Sequence, residues 1–180
     1  MAVSGSLAMR LAGAEELLAR SAAFRQRVGA ASVNQAKKKI SVGQVTLSDV
    51  LAMVEGGTRE FARPCAIVGV HGHSYVQLAQ GGQLDLGASG AVWVIFSDQS
   101  QQANDQKASM LDFCSWIGSV MDEVAQGVGK DYGASETTLW PFSQMQMFFE
   151  PFRSDLADRP AEDFWLGGYL LFDSIHGGSG

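Results

Sequence analysis

His71 and His73 form a His-Gly-His pair. On a strand, alternate residues share a face, so both imidazoles could hold a zinc ion with a third ligand such as His176. The intervening glycine and the lack of a carboxylate nearby in the sequence favour a loop, and neither a metal site nor a general acid–base role is expected there. Gly81-Gly82-Gln83 and Gly87-Ala88-Ser89-Gly90 match neither GxxxxGK[ST] nor GxGxxG, so they read as loops and not as phosphate cradles. Ser, His and Asp are present without the spacing of a nucleophile elbow. No catalytic residue, cofactor or metal is therefore expected, and the chain reads as a non-enzyme. Lys37, Lys38 and Lys39 read first as a solvated helix end, with a salt-dependent nucleic-acid contact as the minority reading.

The elements that would position these residues follow from periodicity. Leu7, Leu11, Leu17 and Leu18 predict an amphipathic helix over Ser6–Arg20. Ser21 predicts an N-cap for a second helix over residues 22–28, closed by Gly29, and Ser32 starts a further turn running through Lys39. Residues 40–45 suggest a strand and 48–54 a helix. Strands are expected over Cys65–Val70 and residues 91–96, the latter ending at Ser97 and Asp98, with an extended piece at 74–78 and irregular chain at 84–89. A long helix is expected over residues 104–128, with one apolar stripe formed by Met110, Cys114, Ile117, Met121, Val124 and Val128, widened by Phe113 and Val120.

Two closing strands are expected, at 139–149 and 164–172, joined by a charged loop at 153–163. Both carry apolar residues on both faces. A sheet of this size would normally leave one face polar, so something must cover both sides: the chain's own helices on one, and a second copy or stacking partner on the other. Met145, Met147 and Phe149 share one strand face and are expected to meet the long helix, with Phe142 and Phe148 facing the other way beside Gln144 and Gln146. The fold class is α+β: a mostly antiparallel sheet of about four strands packed with N-terminal helices and one long central helix.

Length supports one domain over residues 1–180, with a helical part at 1–40 and a flexible tail at 177–180. Charged residues make up only 18% of the chain, thin for a protein that stands alone in water. The net charge of −6 hides an asymmetry, because residues 1–40 hold seven Lys/Arg against Glu15 and Glu16, while the remainder holds six basic and seventeen acidic side chains. Oppositely signed ends can stack head to tail. Cys65 and Cys114 are too few for a disulfide framework or zinc cluster and read as buried reduced thiols of a cytoplasmic protein. No signal peptide and no apolar run of bilayer length is read, so no membrane partner is expected.

Leu17-Leu18-Ala19-Arg20-Ser21-Ala22-Ala23-Phe24-Arg25-Gln26-Arg27-Val28-Gly29-Ala30-Ala31, continued by residues 34–40, resembles the opening of small tail and neck proteins of tailed bacteriophages and prophages. So do Arg63-Pro64-Cys65-Ala66-Ile67, Ser89-Gly90-Ala91-Val92-Trp93-Val94-Ile95-Phe96, the helix around residues 113–123, and Glu162-Asp163-Phe164-Trp165. The resemblance covers most of the chain, with residues 44–60 and 75–86 standing as insertions relative to shorter members. It implies a tail terminator: an α+β virion protein forming a ring, a homo-hexamer, on the head-proximal end of the tail. Such a ring stops tail tube polymerisation and joins the tail to the head connector or stopper, after assembly in the host bacterial cytoplasm. It brings no catalytic residues.

The expected partners are then sister copies, the tail tube protein, the connector, and genome DNA passing through an acidic lumen without specific binding. Basic N-terminal helices would lie outward or dock an acidic neighbouring ring. The aromatic residues Trp93, Trp140, Phe142, Phe148, Trp165 and Tyr169 are the expected assembly contacts, because aromatics supply the most contact area per ordered residue. Another neck, head-completion or minor tail protein is the nearest alternative, and a small metal- or nucleic-acid-binding module the more distant one.

Overall fold

The computed structural model describes residues 6–43, 63–70, 77–78, 84–85, 92–99, 105–127, 144–153 and 163–172. Helix α1 spans Ser6–Arg20, as its leucine spacing predicts, and buries Ala14, Leu17, Leu18 and Ala19. Helix α2 (Ala22–Arg27) follows at once because Ser21 ends one helix and begins the next. Its backbone N–H donates to the Leu17 and Leu18 carbonyls, and its hydroxyl accepts from the Phe24 N–H at 3.0 Å. Gly29 closes α2 at φ +68°, and the Gly29 and Ala30 N–H groups donate back to the Gln26 and Arg25 carbonyls. Helix α3 (Val33–Lys37) is capped by the Ser32 hydroxyl, while the Gln35 side chain reaches back to the Ala31 N–H.

The strands are β1 (Ile40–Gly43), β2 (Cys65–Val70), β3 (Gln77–Leu78), β4 (Leu84–Asp85), β5 (Val92–Gln99), β6 (Gln144–Arg153) and β7 (Asp163–Phe172). Five of them form one sheet in the order β1-β2-β5-β7-β6, in which β1 runs parallel to β2 and every other pair is antiparallel. The class is α+β and the sheet mostly antiparallel, as expected; β1 makes it five strands and mixed. Three other expectations are corrected. β5 does not end at Ser97 and Asp98 but runs to Gln99, because β7 continues the ladder through Leu166, Trp165 and Phe164. β6 continues past Phe149 to Arg153, in register with β7 down to Asp163. Leu84 and Asp85 are paired with β3 instead of irregular. The expected helix at 48–54 lies outside the described residues.

The central helix, α4, spans Gln106–Gly127, with the Asp105 carboxylate accepting from the Ala108 N–H at 2.9 Å. Its buried face is Ser109, Phe113, Trp116, Ile117, Val120, Val124 and Gly127. The expected stripe is thus rotated: Met110 and Met121 are only partly buried, and Cys114 is half-buried. Phe113, Ile117, Val120 and Val124 of the expected, widened stripe are buried; the buried face turns toward Trp116, which was not read as part of it, because a large aromatic side chain removes more apolar area from water than the methionines do.

One core lies between the helices and one sheet face. Ala66, Val68, Val92, Val94, Phe96, Tyr169 and Leu171 alternate onto that face and meet α1 and α4. On the opposite face Cys65, Ile67, Ile95 and Leu166 are also buried in the single subunit, so those positions leave water without a sister molecule; Trp93 and Leu170 remain half-buried there. Gly168 lies opposite Ile95 of β5, with no room for a side chain. A Cβ at this position would overlap the Val94 carbonyl oxygen and lie 3.0 Å from the Ile95 Cα. Gly168→Ala is expected to lower stability by about 2 kcal/mol, or roughly 4–8 °C in melting midpoint. Thermal denaturation checks this, and an unchanged midpoint would contradict the close approach.

Candidate functional site

Chemistry-bearing side chains converge where α2 and α4 meet the end of β5. Asp98, 1% exposed, is the most deeply buried acid among the described residues. A carboxylate so placed needs a cation and hydrogen bonds to remain charged. Arg27 supplies both: its Nε donates to Asp98 Oδ2 at 2.7 Å, and its Nη2 donates to Asp112 Oδ2 at 2.6 Å. The Gln99 N–H donates to Asp98 Oδ1 at 2.8 Å. The Arg27 guanidinium carbon stands 5.4 Å from the centroid of the Trp116 ring, a cation–π position.

Burial pushes the Asp98 carboxyl up, and the Arg27 hydrogen bond and charge pull it back only in part, so it stands above the ordinary carboxylate value. For Arg27, burial works against the charge, but the two carboxylates outweigh it and hold the guanidinium more firmly protonated.

Below this node lies an aromatic cluster. Phe96 contacts Phe24, Trp116 and Tyr169 at centroid distances of 6.1, 5.1 and 5.7 Å, and Trp116 also meets Phe24 and Phe113. Further along α4, Glu123 Oε2 accepts from the Ser21 hydroxyl at 2.6 Å and the Ala23 N–H at 3.1 Å, fastening the start of α2. Glu16 accepts from Arg20 Nε and pairs with Lys37 Nζ, both at 2.6 Å. Burial raises the Glu16 carboxyl, but Lys37 and Arg20 together outweigh it and hold it below its ordinary value. A half-open cleft of about 350 Å³ lies beside the node, lined by Ala23, Gln26, Arg27, Asp112, Trp116 and the serines Ser115 and Ser119. On its wall Arg27 pairs with Asp112, and the Ser119 hydroxyl donates to the Ser115 carbonyl.

These contacts engage part of the basic N-terminal segment within the subunit. Arg20, Arg27 and Lys37 are paired within the subunit, and Arg27 joins α2 to β5 and α4 instead of facing a neighbouring ring. The aromatic assembly candidates divide. Tyr169 is fully buried and its hydroxyl has no hydrogen-bond partner among the described residues; burial raises its pKa. Trp165 is 9% exposed and donates from Nε1 to the buried Ser109 hydroxyl at 2.7 Å. Both serve the chain's own core, which leaves them little area to offer a partner. Trp93 is half-buried on the far face. Phe148 is in β6, opposite Gly168. Trp140 and Phe142, like His71, His73 and His176, lie outside the described residues.

Cys65 is buried, and burial pushes its thiol up to about 12, so it is inert at neutral pH. Cys114 is half-buried and not fully so as expected. Among the described residues no group of three or more His, Cys, Asp or Glu is placed to hold a metal, and no helix is long and apolar enough to cross a membrane.

Among the described residues, the large apolar side chains left in water are Val42 (41% exposed), Leu111 (57%) and Met147 (45%). Register places Met147 beside Tyr169 on the helix-side face as expected, but the helix does not cover it. Val42 and Met147 occupy the two edge strands of the main sheet. No protein-family model, curated protein or solved structure matches this chain.

Two predictions follow from the charged node. In double-mutant cycles read by urea unfolding, Arg27→Met with Asp98→Asn should give a coupling of about 1–3 kcal/mol. Arg27→Met with Asp112→Asn should give about 0.2–1 kcal/mol, because Asp112 is 41% exposed. Equal couplings would contradict the burial argument. The pH dependences carry opposite signs. Glu16 stabilises fully above its unfolded value of 4.5 and loses this as pH falls through its lower folded value, so the deficit of Glu16→Gln should close on acidification. Asp98, raised from 3.8, contributes fully below that value and loses its contribution as pH rises through the folded one; the deficit of Asp98→Asn should therefore widen on acidification.

Proposed function

We propose that the chain is a structural virion protein of a long-tailed phage, a ring subunit at the head-proximal end of the tail that ends tube growth and joins the tail to the head connector. The observation that carries this reading is the placement of exposed Val42 and Met147 on opposite edges of one sheet. A cyclic ring joins two different surfaces of each subunit, one from each side, and two edges left unpaired among the described strands supply such a pair. An α+β subunit built of helices on a mostly antiparallel sheet agrees with the tail terminator resemblance.

The charged side chains at the node support a structural role by their geometry. Each of Asp98, Arg27 and Glu123 is held by groups of the same subunit at hydrogen-bond distance. Such a network fixes helices on a sheet, and its arrangement offers no nucleophile–base pair to a substrate. The partners in this reading are sister copies, the tail tube protein and the connector, with DNA sliding through the lumen.

Disrupting the gene in a phage or prophage that carries it, then examining particles by electron microscopy, tests the reading. Overlong tails, or tails without heads alongside filled heads, are expected, with normal particles restored by the gene supplied in trans. Tails of normal length joined to heads in the disrupted strain would overturn it.

A further inference from the structure

The main sheet ends, among the described residues, at β1 on one side and β6 on the other. An edge strand presents unpaired backbone N–H and C=O groups, which proteins ordinarily protect with charge, proline, a bulge or shortness. β6 is ten residues long, and its first six, 144–149, carry no charge, proline or glycine. Glu150, Pro151 and Arg153 fall only in its last four positions. β1 is short; just before it the Lys39 N–H donates to the Ala36 carbonyl at 2.8 Å, and the Lys39 carbonyl accepts from the Ala66 N–H on the β2 side at 3.0 Å. By strand alternation Ser41 also faces β2, so Ile40 and Val42 direct their backbone groups to the open side.

We infer that β1 of one copy pairs antiparallel with β6 of the next, continuing the sheet from subunit to subunit, with Val42 opposite Met147. Strand polarity favours this arrangement. β1 and β2 run together and the next three pairs alternate, so β1 and β6 point in opposite directions within a subunit. A copy set alongside in the same orientation therefore brings its β6 antiparallel to β1.

Register and charge favour it as well. Val42, Val68, Val94, Tyr169 and Met147 form one continuous cross-sheet row, with exposed side chains at its two ends. Ile40, Ala66, Phe96, Gly167 and Phe149 form the next row on the same face. Joining row to row keeps the helix-side face continuous between copies. It also sets Lys39 beside Glu150 in register, a cross-strand pair of opposite charge.

This inference rests on the proposed ring and specifies its joint. Val42→Cys combined with Met147→Cys, in a Cys114→Ser background where the remaining Cys65 is buried, should give a ladder of disulfide-linked oligomers under a mild oxidant on non-reducing gels. Each single-cysteine variant should stay unlinked, because the joint unites unlike edges. Linked dimers from Met147→Cys alone would indicate two-fold pairing of β6 with β6 and overturn the inference. So would a protein that assembles into a ring, by native mass, yet fails to link the double variant; in that case the phage-ring reading survives. A linked double variant whose wild-type parent is absent from purified virions would leave the joint standing and remove the phage reading. Thermal melting of each variant at the wild-type midpoint establishes that the subunit remains folded.

Discussion

A carboxylate taken out of water has to find a cation, and Asp98 is 1% exposed at the end of the strand that runs through the middle of the sheet. The cation that reaches it, Arg27, comes from a six-residue helix that could not stand alone. That short helix is held at both ends and in the middle: Ser21 and Glu123 fasten its start, Gly29 turns the chain at its end, and Phe24 enters the aromatic cluster. The pairing thereby ties the basic first forty residues to the acidic remainder. Cutting it by removing Arg27 alone would strand a buried charge, which generally costs more than the pair contributes. The desolvation that raises the Asp98 carboxyl also makes the contact selective, because few other groups could take the place of the guanidinium.

Helices cover one face of the sheet, and among the described residues its ladder ends at β1 and β6. The far face is buried at Cys65, Ile67, Ile95 and Leu166 within the subunit, so the sister-molecule cover expected from doubly apolar strands is not required at those positions. Among the described residues, the exposed large apolar side chains are Val42, Met147 and Leu111. The first two are ends of one cross-sheet row, and the backbone groups beyond them ask for a strand, which another copy of the same chain can supply.

Local signals were legible in the sequence. Ser21, Gly29 and Ser32 each act within a few residues through capping geometry, so the end of α1, both ends of α2 and the start of α3 could be placed from side-chain type, while α3 stops at Lys37, short of the expected Lys39. The orientation of α4 was only partly legible: Phe113, Ile117, Val120 and Val124 were read on its apolar side, but the turn toward Trp116 depends on that ring packing against Phe96 and Phe113. The ends of β5 and β6 extend through polar residues and Pro151 because β7 pairs with them, a long-range effect that leaves no periodic trace. Arg27 and Asp98 are 71 residues apart in sequence, and nothing local joins them. A lone aspartate following five strand-favouring residues was nevertheless a usable signal, since a buried acid demands a cation and the N-terminal part holds the surplus. Trp165 and Tyr169 were read as assembly contacts because of their size; size serves the subunit's own core equally well.

The central claim is that this 19.2 kDa chain works by joining copies of itself. Native mass spectrometry of the purified full-length protein over a range of concentrations tests it most directly. The account predicts a closed oligomer, with six copies the expected number, and few intermediate species. A protein that remains monomeric at high concentration would contradict it.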